Sequence, residues 1–153
     1  MDPLAIPSPL NPLKSHADYV AYLTWLCDEA PPTSLVVLEH GTSRRNAEGL
    51  LRTPPNPGDS FSAALAWCEY RPLGDPADYA RARAANAANQ TEPCLLQFEV
   101  PVSILRAVLV DAVGWFIARS GEIQFCGDEL GALRGVWSGL TKRLVGCRIA
   151  ACS

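Results

Sequence analysis

Proline sets the first limit on what this chain can fold into. Thirteen prolines stand among 153 residues, and all of them lie in the first 101. Proline has no amide hydrogen and a fixed φ, so it suits a first helical turn, a strand end or a loop, but not the interior of either element. The first two-thirds of the chain must therefore be built from short pieces. Pro31-Pro32 end whatever precedes them, Thr53-Pro54-Pro55-Asn56-Pro57-Gly58-Asp59 is turn chemistry throughout, and Pro101 closes a strand. Four prolines within residues 1–12 predict an extended arm over residues 1–14, ahead of a single domain over 15–153.

Between these breaks helices and strands mix. Ser15 can cap a helix over residues 16–29, where Tyr19, Tyr22, Leu23 and Leu26 recur at helical spacing and His16 lies near the surface. Leu35-Val36-Val37-Leu38 reads as a strand stopped by His40-Gly41. Thr42 or Ser43 then caps a helix through Leu51, with Ala47, Leu50 and Leu51 facing inward and Arg44, Arg45 and Glu48 solvated. Ser60-Phe61-Ser62 predicts a short extended piece feeding a helix over 63–70. Pro76 sits in the first turn of an alanine-rich surface helix. Residues 94–100 carry the best strand signal, and 102–110 read as a short helix followed by a strand. Residues 114–118 and 122–126 look extended and joined at Ser120-Gly121. Asp128 can cap a helix carrying Leu130, Leu133 and Trp137, and 145–151 predict a closing strand. The order lacks regular βαβ alternation, which predicts an α+β fold rather than a doubly wound sheet.

Hydrophobic residues make up 48% and charged residues 19%, so disorder is excluded as the overall class. The formal charge of −3, with eleven arginines and two lysines scattered along the chain, gives no nucleic-acid footprint and no attraction to anionic membranes. No run approaches the ~20 apolar residues of a membrane span. The longest, over 107–118, is broken by Asp111 and Gly114. No basic segment followed by a hydrophobic one opens the chain, so a soluble, cytoplasmic protein is expected. The six cysteines form no C-x-x-C pair and are expected to be mostly small buried hydrophobes kept reduced, with Cys152 the most exposed.

Few residues offer chemistry. His40 ends an apolar strand and is followed by Gly41, which permits close backbone approach, and by the hydroxyls of Thr42 and Ser43 at a helix start. A hydrogen-bonded capping turn would use the same residues. Neither histidine has a partner at metal-ligand spacing, and there is no G-x-S-x-G elbow, G-x-G-x-x-G or Walker loop. Most carboxylates fall on solvated faces. Glu122 differs, because it opens the strand Glu122-Ile123-Gln124-Phe125, where an exposed edge group would also be at home.

The run Leu38-Glu39-His40-Gly41-Thr42-Ser43, followed by Asn46-Ala47-Glu48-Gly49-Leu50-Leu51, resembles the first motif of the ADP-ribosyltransferase superfamily. Gly58-Asp59-Ser60-Phe61-Ser62 with Ala66, Trp67 and Tyr70 is similar to the second, and Gly121-Glu122-Ile123-Gln124-Phe125 to the third, which carries the catalytic glutamate. All three occur in family order over residues 34–126, in the manner of small bacterial transferases of the His-Tyr-Glu type, antibiotic-modifying or toxin-like. The resemblance implies a split, mostly antiparallel sheet flanked by helices, and NAD as co-substrate. It implies that His40 hydrogen-bonds the adenosine-side or nicotinamide-side ribose and that the Gly41 backbone holds the nicotinamide amide. Thr42, Ser60, Phe61 and Ser62 would line the same site, with an aromatic such as Tyr70 stacked on the nicotinamide ring. Glu122 would bind the ribose hydroxyl, stabilise positive charge and orient the acceptor. Arg44, Arg45 or Arg52 would meet the pyrophosphate, or simply face solvent.

The second motif departs from the family where Ser60 stands in place of tyrosine, which passes stacking to Phe61, Trp67 or Tyr70. That departure leaves room for a non-catalytic nucleotide- or protein-binding module on the same fold. RNA 2′-phosphotransferases share the fold and a His-Gly-Thr motif, but the missing basic surface counts against them. A protein or small-molecule acceptor is favoured over nucleic acid for the same reason.

Overall fold

The computed structural model describes residues 15–58, 60–66, 80–81, 92–111 and 123–146. Along them run helix α1 (His16–Asp28), strand β1 (Leu35–Ser43), helix α2 (Arg44–Leu50), strands β2 (Phe61–Leu65) and β3 (Pro93–Pro101), helix α3 (Val102–Asp111), strand β4 (Ile123–Phe125), helix α4 (Gly127–Val136), a 3-10 turn (Trp137–Gly139) and strand β5 (Lys142–Gly146). The five strands form one antiparallel sheet in the order β4-β2-β1-β3-β5. Mixed helix and antiparallel sheet is the α+β class expected. No helix among the described residues is long and apolar enough to cross a membrane.

The sheet is organised around β1 and β3, which pair one to one from Leu35↔Pro101 to Ser43↔Pro93. The prolines occupy the two ends of β3, where a missing amide costs the ladder least. One face of the sheet, carrying Val36, Leu38, Phe61, Ala63, Leu96, Phe98, Val100, Ile123 and Phe125, is covered by α1, α3 and α4. Helix α1 supplies Tyr19, Leu23 and Leu26, α3 supplies Val102, Leu105, Val108 and Leu109, and α4 supplies Leu130 and Leu133, with Trp137 just beyond it. Each large apolar side chain buried this way contributes about 2–3 kcal/mol.

Helix α3 satisfies the end of α1, and the α1–β1 loop satisfies the start of α3. Ser15 accepts from the Asp18 amide at the start of α1. At its far end the Arg106 guanidinium, on α3, donates to the Leu26 carbonyl at 2.8 Å and the Ala30 carbonyl at 2.6 Å. The α3 amides of Val102 and Ser103 donate to the carbonyls of Ser34 and Pro32. Helix termini leave such groups without intrahelical partners, so this exchange locks the α1–β1 loop to the start of α3.

Several sequence expectations change. β1 does not stop at His40-Gly41; it continues to Ser43, because a nine-residue β3 pairs with its whole length. Ala63 to Leu65 continue β2 instead of starting a helix, since pairing with β1 and β4 overrides alanine's helical preference. α3 runs to Asp111 with no strand over 102–110. α4 begins one residue before Asp128, after Cys126, and Gly127 at φ 56° makes the left-handed turn into it. β5 starts at Lys142, ahead of the expected 145. Leu51 is exposed rather than inward, because α2 ends at Leu50.

Cys94 is buried, Cys27 half-buried, and Cys126 exposed rather than buried as expected, lying at the N-terminus of α4. Burial pushes the Cys27 and Cys94 thiols above their ordinary range, which disfavours the thiolate. Ala80 and Arg81 are helical, as the alanine-rich stretch predicts. The N-terminal arm over 1–14, the rest of the alanine-rich helix, the 114–118 segment, the Ser120-Gly121 joint, Cys68, Cys152 and residues 147–151 lie outside the described residues.

The α1–α3 exchange is testable. Replacing Arg106 with alanine strands one carbonyl in the last turn of α1 and one just past it, and is expected to cost about 2 kcal/mol of unfolding free energy, read from a denaturant midpoint. A loss below a few tenths would mean that water replaces the guanidinium without penalty.

Candidate functional site

β1 and β2 stay paired only at Leu38↔Leu65 and Glu39↔Ala64, after which the two strands part. β1 keeps its pairing with β3, whereas β2 turns its pairing to β4 through Phe61↔Phe125, Ser62↔Gln124 and Ala63↔Ile123. The next inward-facing residue on β1 after Val36 and Leu38 is His40, so strand alternation places an imidazole at the opening seam. Its Nδ1 lies 2.6 Å from the Ser62 carbonyl oxygen, and its ring stacks on Phe61 with centroids 4.2 Å apart. A carbonyl oxygen only accepts, so Nδ1 carries the proton. In the neutral ring Nε2 then holds the lone pair.

A cavity of about 360 Å³ opens beside this seam. His40 and Thr42 of β1, Ser60 and Phe61 at the start of β2, Arg45, Asn46, Gly49 and Leu50 of α2, and the loop residues Thr53 to Asn56 line it. That volume lies within the range of small-molecule sites. Thr42 is buried, and its hydroxyl oxygen accepts from the Asn46 side-chain amide at 3.2 Å. Asn46 thereby keeps its amide nitrogen occupied and can offer its carbonyl oxygen as an acceptor. Ser43 caps α2 by accepting from the Asn46 amide at 3.3 Å. Of the two expected capping residues, Ser43 fills that role and Thr42 faces the cavity.

The structure thus brings His40, Thr42, Ser60 and Phe61 together at one cavity, with the Ser62 carbonyl fixing the histidine. Gly41 is buried within β1 opposite Leu95 and does not line the cavity. Phe61 is 5% exposed, and its ring is shared among His40, Phe98 and Trp137. Of the three arginines, Arg45 lines the cavity. Arg44 instead pairs with Glu48 at 3.6 Å and Glu92 at 3.8 Å, all three exposed. Arg52 is exposed. Glu122, Trp67, Tyr70 and Asp59 lie outside the described residues. Among the described residues no three His, Cys, Asp or Glu side chains gather as a metal site.

Sequence reasoning missed Asn46 as a lining residue, although its spacing of four from Thr42 across a strand–helix junction is the signal that could have found it. It also missed a polar ladder on the opposite sheet face, buried at Glu39 and Gln97 and exposed at Arg143. Gln97 donates to the Glu39 carboxylate at 2.8 Å, and Arg143 donates to the Gln97 side-chain carbonyl at 2.8 Å. Glu39 and Gln97 are both buried. These three are register partners across β1, β3 and β5, a relation visible only once the strands are paired.

The chain has only two histidines, so the tautomer of His40 can be read directly. Nitrogen-detected NMR of the neutral protein at pH 8 is expected to show one ring protonated at Nδ1, assigned to His40 by loss in His40→Gln. An Nε2-protonated ring in its place would remove the bond to Ser62. No family model, curated protein or solved structure matches the chain, so the site is read from its own geometry.

Proposed function

We propose that the chain is an NAD-dependent ADP-ribosyltransferase, with its sheet splitting between β1 and β2 to form the nucleotide cleft. One observation carries this reading. His40 and the Ser60-Phe61-Ser62 segment, taken from two separate sequence motifs, meet at a single cavity and are locked to each other by a hydrogen bond and a ring stack. A histidine serving only as a turn cap would not need to face a cavity lined by a second motif.

The reaction breaks the bond between C1′ of the nicotinamide ribose and the pyridinium nitrogen. Nicotinamide leaves as a neutral molecule, positive charge spreads over C1′ and the ring oxygen, and an acceptor nucleophile bonds to C1′ while losing a proton. Catalysis then requires groups that hold the two riboses and stabilise developing positive charge. His40, with its lone pair on Nε2, suits acceptance of a hydrogen bond from a ribose hydroxyl, and the Ser62 carbonyl keeps the ring in that tautomer. Arg45 is the arginine placed to meet the pyrophosphate, as a fork of donors on the cavity wall. Because one face of Phe61 is taken by His40, stacking on the nicotinamide falls to Tyr70 or Trp67 in this reading. Glu122 keeps the role its motif implies, binding the nicotinamide ribose and orienting the acceptor. A protein or small molecule is the acceptor proposed; water would give ADP-ribose.

Incubation with NAD tests this by following release of nicotinamide, with and without candidate acceptors. Wild-type protein is expected to release it, and His40→Ala and Glu122→Gln to lower the rate by about 100-fold or more each. Equal release by the variants, or none by wild type, defeats the enzyme. Calorimetric binding of NAD without turnover would instead favour a nucleotide-binding module.

A further inference from the structure

The cavity has two walls of different origin. One is the β1–β2 seam with His40 and Phe61; the other is α2 with the loop that follows it, including Pro54 and Pro55. Pro54, Pro55 and Pro57 have no amide hydrogens, so this loop has little means of holding itself by its own backbone. It is held from outside. Arg134, on α4, donates from Nε to the Pro55 carbonyl at 2.7 Å. The Trp137 indole N–H donates to the Leu50 carbonyl at 2.8 Å, at the C-terminal end of α2 where carbonyls lack helical partners.

Trp137 also reaches the other wall. Its ring meets Phe61 edge-on, with centroids 5.7 Å apart and planes at 85°, and Phe98 at 5.4 Å. Phe61 in turn stacks on His40. Lys142 fixes the tryptophan from behind, donating to the Trp137 carbonyl at 2.5 Å and to the Leu140 carbonyl at 3.0 Å, with its ammonium 5.3 Å from the ring centroid. Trp137 is 1% exposed, and neither it nor Arg134 lines the cavity. A flat, rigid ring tied to both walls is a spacer.

We propose that Trp137 and Arg134 are positioning residues that set the separation of the two cavity walls, and with it the affinity for the nucleotide. This rests on the transferase reading for the identity of the ligand. The geometry of the walls does not depend on it.

Trp137→Phe keeps an aromatic ring against Phe61 and Phe98 but loses the indole N–H and part of the ring volume, and Arg134→Met, of similar length with no donor, withdraws the other tie without touching the core. Each variant is expected to raise the KM for NAD about fivefold to tenfold while leaving kcat within about twofold. Arg134→Lys, which can still donate to Pro55, should recover most of the loss. Amide exchange supplies a readout that needs no NAD. The Leu51, Arg52 and Thr53 amides, bonded to the Ala47 and Gly49 carbonyls, should exchange about tenfold faster in both variants, with β3 amides unchanged. Unchanged exchange at these three positions, or faster exchange with unaltered KM, overturns the proposal. Should Trp137→Phe lose its fold, Arg134→Met decides alone. Wild-type protein that neither binds nor cleaves NAD, with faster exchange in the variants, would overturn the ligand and leave the spacer standing.

Discussion

The hydrogen bond from His40 to the Ser62 carbonyl takes the place of a strand ladder at the one seam where the sheet opens. β1 and β2 pair through Glu39↔Ala64 and then diverge, and a side chain closes the join that backbone groups leave. A sheet that stayed zipped would bury this region completely and have no cavity. A sheet that opened without the imidazole would leave the Ser62 carbonyl needing another donor in a half-buried position. The bond therefore maintains the opening and fixes the protonation pattern of the group that faces it. Structure and proposed chemistry meet in a single contact.

From that seam the rest of the core follows in order. Phe61 lies against His40, Phe98 and Trp137 lie against Phe61, and the helices α1, α3 and α4 cover the same face of the sheet. Aromatic pairs of this kind add about 0.5–1.5 kcal/mol beyond the area they bury, and their geometry is directional. The packing that stabilises the fold thus also aims the imidazole. Helix α2, short and capped by Ser43, carries Arg45, Asn46 and Gly49 to the cavity.

What could be read from the sequence was governed by local signals. Ser15 with its run of aromatic and leucine positions marks α1 to within a residue, and the apolar run ending at Pro101 marks β3. Where partners decide, local signals fail. Gly41 looked like a stop but lies inside β1, because the matching strand runs on; Ala63 and Ala64 favour helix alone but are flanked by strands on both sides. The edge strand β5 opens on Lys142 and Arg143, whose polarity hides it. At the site, His40, Thr42, Ser60 and Phe61 were legible because each sits in a compact motif. The ties from Arg134 to Pro55 and from Trp137 to Leu50 were not, since they join residues 79 and 87 positions apart through backbone carbonyls that leave no trace in side-chain identity.

The ladder of Glu39, Gln97 and Arg143 bears on how β1 finds its alignment. Its two ends are chemically unlike, a carboxylate that only accepts and a guanidinium that only donates, so the amide between them has one workable orientation. Sliding β1 by two residues along β3 would keep every apolar side chain on its proper face, so hydrophobic pattern alone does not forbid it. That slide would set Glu39 opposite Leu95 or Glu99, leaving a buried carboxylate facing hydrocarbon or a like charge. The three polar groups therefore act as a key that admits a single alignment, and in it His40 comes to rest opposite Leu96 and within reach of the Ser62 carbonyl.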